Sequence, residues 1–422
     1  RMAKSSKSSH LPLERGQLTA DFIAGLTFAV VNVPQGLGNA VLATVNPVFG
    51  LYALIIATPV GALFTSSVFM NVSTTGALSV AAGDALVYFP GEQKTTALIT
   101  LVLLIGLVQL AFGLLKLGTL IRFVAQSVMT GFITGIAINI ILGAIPDLTG
   151  YTSPFHSEFL KLADTLLSWD QLDPLTTILG LGTIGLIVAF GYTPLRKFAL
   201  ILALVVITVI SIGLTALLGT TSLELVGDIA DIPRSLPTPM LPDFTLIPAL
   251  IVPPIAISII GLVQGAGVGQ SYPNPDGKFP DVSRDFSGQG IANIATSVFQ
   301  GIPCGGSMSG TAVTVNAGAK SRWANIFAGI LVAIIMLMLV DVVKLVPMAA
   351  LGGLLVVVGF QNIRPEQVAV VWQTGLVPRT AMLLTLLATL AMPLQFAILM
   401  GVAFSILLHV FQSSNRIRVV EF

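Results

Sequence analysis

Apolar runs long enough to cross a lipid bilayer follow one another along almost the whole chain, and no other feature restricts its fold as much. A bilayer core about 30 Å thick takes roughly 20 apolar residues per helix. Clear runs occupy 22–44, 48–64, 95–115, 120–145, 175–192, 197–218, 244–264, 323–340, 345–361, 380–391 and 394–411. Weaker ones occupy 72–88, 286–302 and 306–319, and Met392-Pro393 splits the last clear pair into two short helices. The expectation is an all-α polytopic membrane protein with 14 transmembrane segments.

Charge agrees. Only 9% of the 422 residues are Asp, Glu, Lys or Arg, against roughly 25% in soluble proteins. The net charge of +1 offers no basic patch for nucleic acid. Cys304 is the only cysteine, so no disulfide forms within the chain. His10, His156 and His409 are too scattered to suggest a metal site, and no cofactor is expected. Residues 1–21 are polar and basic and lead directly into further apolar runs, unlike a cleavable signal peptide. Arg1 stands ahead of Met2 and reads as an addition to the natural start.

The basic residues orient the spans, because Lys and Arg in short loops favour the cytoplasm. With the N-terminus inside and strict alternation, 16 of the 20 basic residues fall on the cytoplasmic side, Arg284, Arg322 and Arg364 among them. Only Lys94, Lys161, Arg234 and Lys344 fall outside. Both termini are therefore expected in the cytoplasm.

The chain repeats itself. Gln35-Gly36-Leu37-Gly38 in the first span is matched by Gln264-Gly265-Ala266-Gly267 in the eighth, 229 positions later. Ser73–Gly83 in the third is matched by Ser307–Gly318 in the tenth, at offsets of 234 and 235. Seven crossings per half is odd, so the halves must be inverted relative to each other. The expected organisation is a cytoplasmic segment 1–21, a first repeat 22–218, an extracellular linker 219–243, a second repeat 244–411 and a cytoplasmic stub 412–422. The third and tenth spans are short and open on Ser, Thr and Gly, which suit caps and non-helical backbone. They read as half-helices preceded by short extended segments, with N-termini meeting near the midplane. Each N-terminus carries about half a positive charge and free N–H donors, so the pair makes an anion site.

Val33-Pro34-Gln35-Gly36-Leu37 and Pro47-Val48-Phe49-Gly50-Leu51-Tyr52 resemble the N-terminal signature of the sulfate permease (SulP) family of anion transporters. Gly288–Asn293 and Ala317–Lys320 are similar to its later signatures. The resemblance implies the seven-plus-seven fold shared with uracil permease, with a core domain moving against a gate domain, and substrates such as sulfate, bicarbonate, chloride or a dicarboxylate such as fumarate. By position it places the substrate site on Gln35, Asn39, Thr75, Gly76, Gln264, Ser309 and Gly310, with Thr311 in the same segment. It permits a homodimer and, for a bacterial member, an inner-membrane location.

Three departures from the family follow. Many members have Glu where Gln264 stands and Arg where Gly310 stands. The joint loss suggests that the two positions face each other, since a lone buried charge is costly. It leaves no fixed cation for the anion and no carboxylate for a coupling ion, so a proton would travel on a weakly acidic substrate. Last, the chain stops at Phe422 without the family's STAS domain, and Arg416–Val420 reads as the approach to one.

Structural readings stand beside these. Gln35 and Gln264 could bond neighbouring helices, Asn39 could bond backbone, and the small residues of both half-helices could serve close packing. Asp84, taken as the lone acid within a crossing, is either functional or solvated at the outer end. Pro34, Pro253 and Pro254 read as helix kinks, and Cys304 as packing. The leading function is proton-linked secondary transport of a small anion by elevator-like alternating access, with no enzymatic site. A passive anion channel and a nucleobase transporter on the same fold are the alternatives.

Overall fold

The computed structural model describes residues 15–404 except 92, 119–124, 156–157, 219–222, 230–234, 393, 395, 398 and 402. The first fourteen residues, the stub 412–422, and basic residues such as Arg122 and Arg234 lie outside the described set.

Apolar segments must satisfy their backbone groups internally, which makes them helical. The first half contains α1 (Arg15–Leu42), α2 (Val48–Phe64), α3 (Gly76–Leu86), α4 (Gln93–Leu114), α5 (Gln126–Gly143), α6 (Ile145–Thr149), α7 (Glu158–Leu167), α8 (Pro174–Gly191) and α9 (Ala199–Leu218). The short α10 (Val226–Ile229) lies between the halves. The second half contains α11 (Pro253–Ser271), α12 (Val282–Val298), α13 (Met308–Asn316), α14 (Trp323–Lys344), α15 (Met348–Asn362), α16 (Pro365–Thr374) and α17 (Leu376–Ala391). Eight described segments are long and apolar enough to cross a bilayer, and α2, α3 and α17 are shorter apolar helices. With α12, α13 and the helical residues from Leu394 onward, the order is the expected seven plus seven.

Both half-helices follow a buried strand, β1 (Asn71–Thr74) before α3 and β2 (Cys304–Ser307) before α13. The strands pair antiparallel with Ser73 opposite Gly305. The N-caps Thr75 and Ser307 are 232 positions apart. Ser73 and Gly305 share that offset, so a pseudo-twofold axis passes through this pair. The motif match at 234–235 had slipped by about two positions, because Ser-rich segments align equally well in either register.

The helices form two bundles. α1–α4 pack with α11–α14, while α5, α6, α8 and α9 pack with α15–α17, and the bundles meet where α1 and α3 touch α5, α9 and α15. Within the first bundle, α1 crosses α2 at two glycines of the signature runs. A Cβ on Gly50 would lie 1.8 Å from the Gly36 carbonyl oxygen, so only glycine permits this approach.

Loops expected on one side interlock on one face. The buried Asp285 carboxylate accepts from Ser66 N–H (2.6 Å), Ser66 Oγ (2.7 Å) and Ser67 N–H (3.0 Å). Arg322 donates to the Ala62 and Thr65 carbonyls at the end of α2. Asp21, also buried, accepts from the Lys320 and Ser321 backbone N–H groups. On the other face, Gln300 donates to Thr238 and Asp243 N–H to Thr100 Oγ. The helices thus run past the apolar runs to include Asp21 and Asp285, and Asp84 is not the only acid in a membrane helix.

Two further expectations change. Pro253 and Pro254 begin α11 instead of kinking it, and 244–250 form a separate 3-10 turn. A proline in the first helical turn loses no intrahelical bond. Asp84 accepts from Leu394 N–H (3.1 Å), and so caps the helical segment after the Met392-Pro393 break.

Candidate functional site

The site begins with the two strands. Extended backbone at membrane depth survives only if protein groups satisfy it, and here side chains do so. Asn293 of α12 brackets Cys304, accepting its N–H at Oδ1 (2.8 Å) and donating to its carbonyl from Nδ2 (2.7 Å). Gln289, one turn earlier, accepts from Gly306 N–H (3.1 Å). On the other strand, Thr58 donates to the Val72 carbonyl (3.2 Å), and Asn71 N–H donates to Thr311 Oγ (3.0 Å). Asn325 of α14 donates to the Met70 carbonyl and accepts from the Asn71 side chain. Gln289 and Asn293 belong to the signature run Gly288–Asn293, and this bracing gives that run a physical purpose.

Thus held, the strands deliver α3 and α13 with capped first turns to one cavity. Thr75 Oγ accepts from Leu78 N–H (3.4 Å), and Ser307 Oγ accepts from Gly310 N–H (3.0 Å). The cavity has a volume of about 450 Å³ and is lined on this side by Gln35, Asn39, Thr74–Gly76, Val263, Gln264, Gly267, Gly306–Ser309 and Ala312. Met129 and Ile133 of α5 and Leu354, Leu355 and Val358 of α15 form the facing wall. Gln361, Asn362 and Arg364 complete the lining at the end of α15.

Six of the eight expected site residues line this cavity: Gln35, Asn39, Thr75, Gly76, Gln264 and Ser309. Asn39 is committed, donating to Thr74 Oγ (2.9 Å). Thr75 Oγ donates to Gln264 Oε1 (3.1 Å), which joins the first turn of α3 to α11. Ser309 is exposed, with its hydroxyl 3.3 Å from Ser307 Oγ.

Gly310 and Thr311 are not in the lining. A helix turns each successive residue by about 100°, and one step past Ser309 faces the core. A Cβ on Gly310 would meet Asn71 Oδ1 (2.9 Å) and the Phe28 ring (3.0 Å), not Gln264. The two positions where the family carries opposite charges therefore do not face each other across the cavity. Thr311 is fully buried and bonds Asn71 N–H and the Ser307 carbonyl.

Among the described residues no carboxylate lines the cavity, and the one charged residue there is Arg364. Gln264 and Gly310 supply no charge, and Arg364 is a cation of the lining that the sequence alone does not single out. In the sequence Arg364 looks like any other basic loop residue, and only the fold brings it into the lining of the cavity that the half-helices share.

Two inverted seven-helix repeats around a central cavity define a polytopic membrane protein of the seven-plus-seven fold. The sequence profile of the sulfate permease family matches residues 18–385, and the chain belongs to that family. A probable sulfate transporter 4.2 of Arabidopsis thaliana is 28% identical over 404 residues, covering 94% of this chain and 59% of the plant protein. A putative sulfate transporter of Bacillus subtilis, YvdB, is 29% identical over 399 residues, covering 92% and 72%. This chain thus spans less than two thirds of the plant relative's length. Among solved structures, the transmembrane domain of the cyanobacterial bicarbonate transporter BicA superposes with a TM-score of 0.78 at 22% identity, covering 93% of this chain and 98% of that one. Murine Slc26a9 in its inward-facing state gives 0.85 at 20% identity, covering 97% and 74%.

Proposed function

We propose that this chain is the membrane part of a secondary active transporter of small anions, not an enzyme. It would hold its substrate between the N-termini of α3 and α13. The observation that carries this reading is the cavity itself, where two capped helix N-termini converge among neutral hydrogen-bonding groups and, among the described residues, no carboxylate competes with an anion. The bundle carrying both half-helices would slide as a core against the other as a gate. Small and apolar contacts at their junction favour this, such as Gly38 against Leu355 and Gly76 against Ile140. The candidate substrates are sulfate and bicarbonate, in keeping with the relatives' names, and a dicarboxylate such as fumarate. Without a titratable acid among the described lining residues, a coupled proton would ride on the substrate. The 22–218 and 244–411 halves, a homodimer and a bacterial inner membrane with both termini cytoplasmic complete the proposal.

The test is uptake of radiolabelled sulfate, bicarbonate and fumarate into liposomes holding the purified protein, at mildly acidic and neutral pH. Saturable uptake of one anion that rises at acid pH supports the reading. Uracil uptake, or large chloride currents without saturation, would assign the fold a different task.

A further inference from the structure

The geometry points to Arg364 as a side-specific affinity determinant, a cation that gathers the anion only while the cavity opens to the cytoplasm. This rests on the anion-carrier reading above. Four observations carry it. Among the described residues Arg364 is the one charged group in the lining, and the groups contributed by the half-helices are all neutral. Its guanidinium is exposed and makes no ion pair or side-chain hydrogen bond among the described residues, so it is uncommitted. It directly follows the C-terminal turn of α15, whose Gln361 and Asn362 also line the cavity. That end of a helix carries partial negative charge and would repel an anion, which a fixed cation offsets.

The fourth observation is its place. Arg364 joins α15 to α16, in the bundle that does not carry the half-helices. It also belongs to the basic residues that the charge distribution assigns to the cytoplasm. When the core moves relative to the gate, the half-helices and their bound anion leave Arg364 behind. Its attraction therefore acts on cytoplasmic binding and not on external binding, which makes the carrier asymmetric. A charge at a low-dielectric mouth raises local anion concentration by about tenfold or more, and salt weakens the effect.

The experiment compares right-side-out and inside-out membrane vesicles containing wild-type, Arg364→Gln and Arg364→Lys proteins. Initial uptake of labelled sulfate, bicarbonate and fumarate is measured at low salt and at about 0.5 M salt. Expected for Arg364→Gln is a half-saturation about tenfold higher in inside-out vesicles at low salt, shrinking at high salt. In right-side-out vesicles the same variant should stay within about twofold of wild type, which also shows that it folds. Arg364→Lys should recover most of the loss. An equal change in both orientations, or none in either, overturns the inference. Wild-type vesicles that take up none of the three anions overturn the carrier reading and this inference with it.

Discussion

Replacing Gln264 by Glu puts a negative charge where the structure places a neutral amide. Gln264 Oε1 lies 3.1 Å from Thr75 Oγ, at the cap of α3, so a carboxylate there would occupy the first turn that is proposed to hold the anion. Two like unit charges about 5 Å apart repel by about 3 kcal/mol at an effective dielectric of 20 and by less than about 1 kcal/mol in bulk water. An open, partly hydrated cavity lies between these limits. With tenfold per 1.4 kcal/mol, the half-saturation should rise by about five- to a hundredfold at neutral pH. The sign with pH is fixed. A glutamate ordinarily titrates near pH 4.3. As pH falls towards it the side chain becomes neutral and the repulsion disappears. The ratio of variant to wild-type uptake should therefore climb towards one between about pH 7.5 and pH 5. Gln264→Ala, which loses the Thr75 contact without adding charge, should show a smaller defect with no such climb. Uptake by Gln264→Glu equal to wild type at neutral pH, or a ratio flat across pH, would refute the placement of the anion beside α3.

Three other substitutions test the frame around the site. Asn293→Ala strands the buried N–H and carbonyl of Cys304, at about 1–3 kcal/mol for each group; thermal unfolding of the purified protein should fall by several degrees, and an unchanged midpoint would remove Asn293 from the bracing. Thr311→Val keeps the shape but leaves Asn71 N–H without its acceptor. It should lower stability by about 1–3 kcal/mol while half-saturation stays near wild type, whereas a selective affinity loss would return Thr311 to the binding surface. Gly50→Ala forces a methyl into the Gly36 carbonyl, and separating two packed helices should cost more than the ~1–3 kcal/mol of ordinary overpacking. Expression and monodispersity in detergent would report it, and a normal elution profile would contradict the close crossing.

The bracing has a consequence for reading the family's signatures. No residue of Gly288–Asn293 is itself in the cavity lining, yet Gln289 and Asn293 hold β2 in place, Gln289 through the lining residue Gly306. Gly36 and Gly50 act at a helix crossing in the same indirect way. Such residues govern the site through the position of backbone, so their loss is expected to appear in stability before affinity.

Much of this protein was legible in its sequence, because the relevant physics is local and additive. Hydropathy summed over some twenty residues identifies a span wherever it sits in the chain. Lys and Arg counts sort the loops, and the faces that interlock through Asp21, Asp285 and Arg322 agree with that sorting. The short, Ser- and Gly-rich third and tenth spans announced half-helices for the same reason. What only the tertiary structure decided depends on the rotation of a helix about its axis and on the approach of distant segments. Ser309 and Gly310 are adjacent and chemically plausible alike, yet one faces the cavity and the other the core. The pairing of β1 with β2, the bond of Asn71 to Thr311, and the arrival of Arg364 in the lining of the same cavity as the half-helices join residues far apart in the chain. No hydropathy or charge pattern encodes those distances, since they arise only when the two bundles pack.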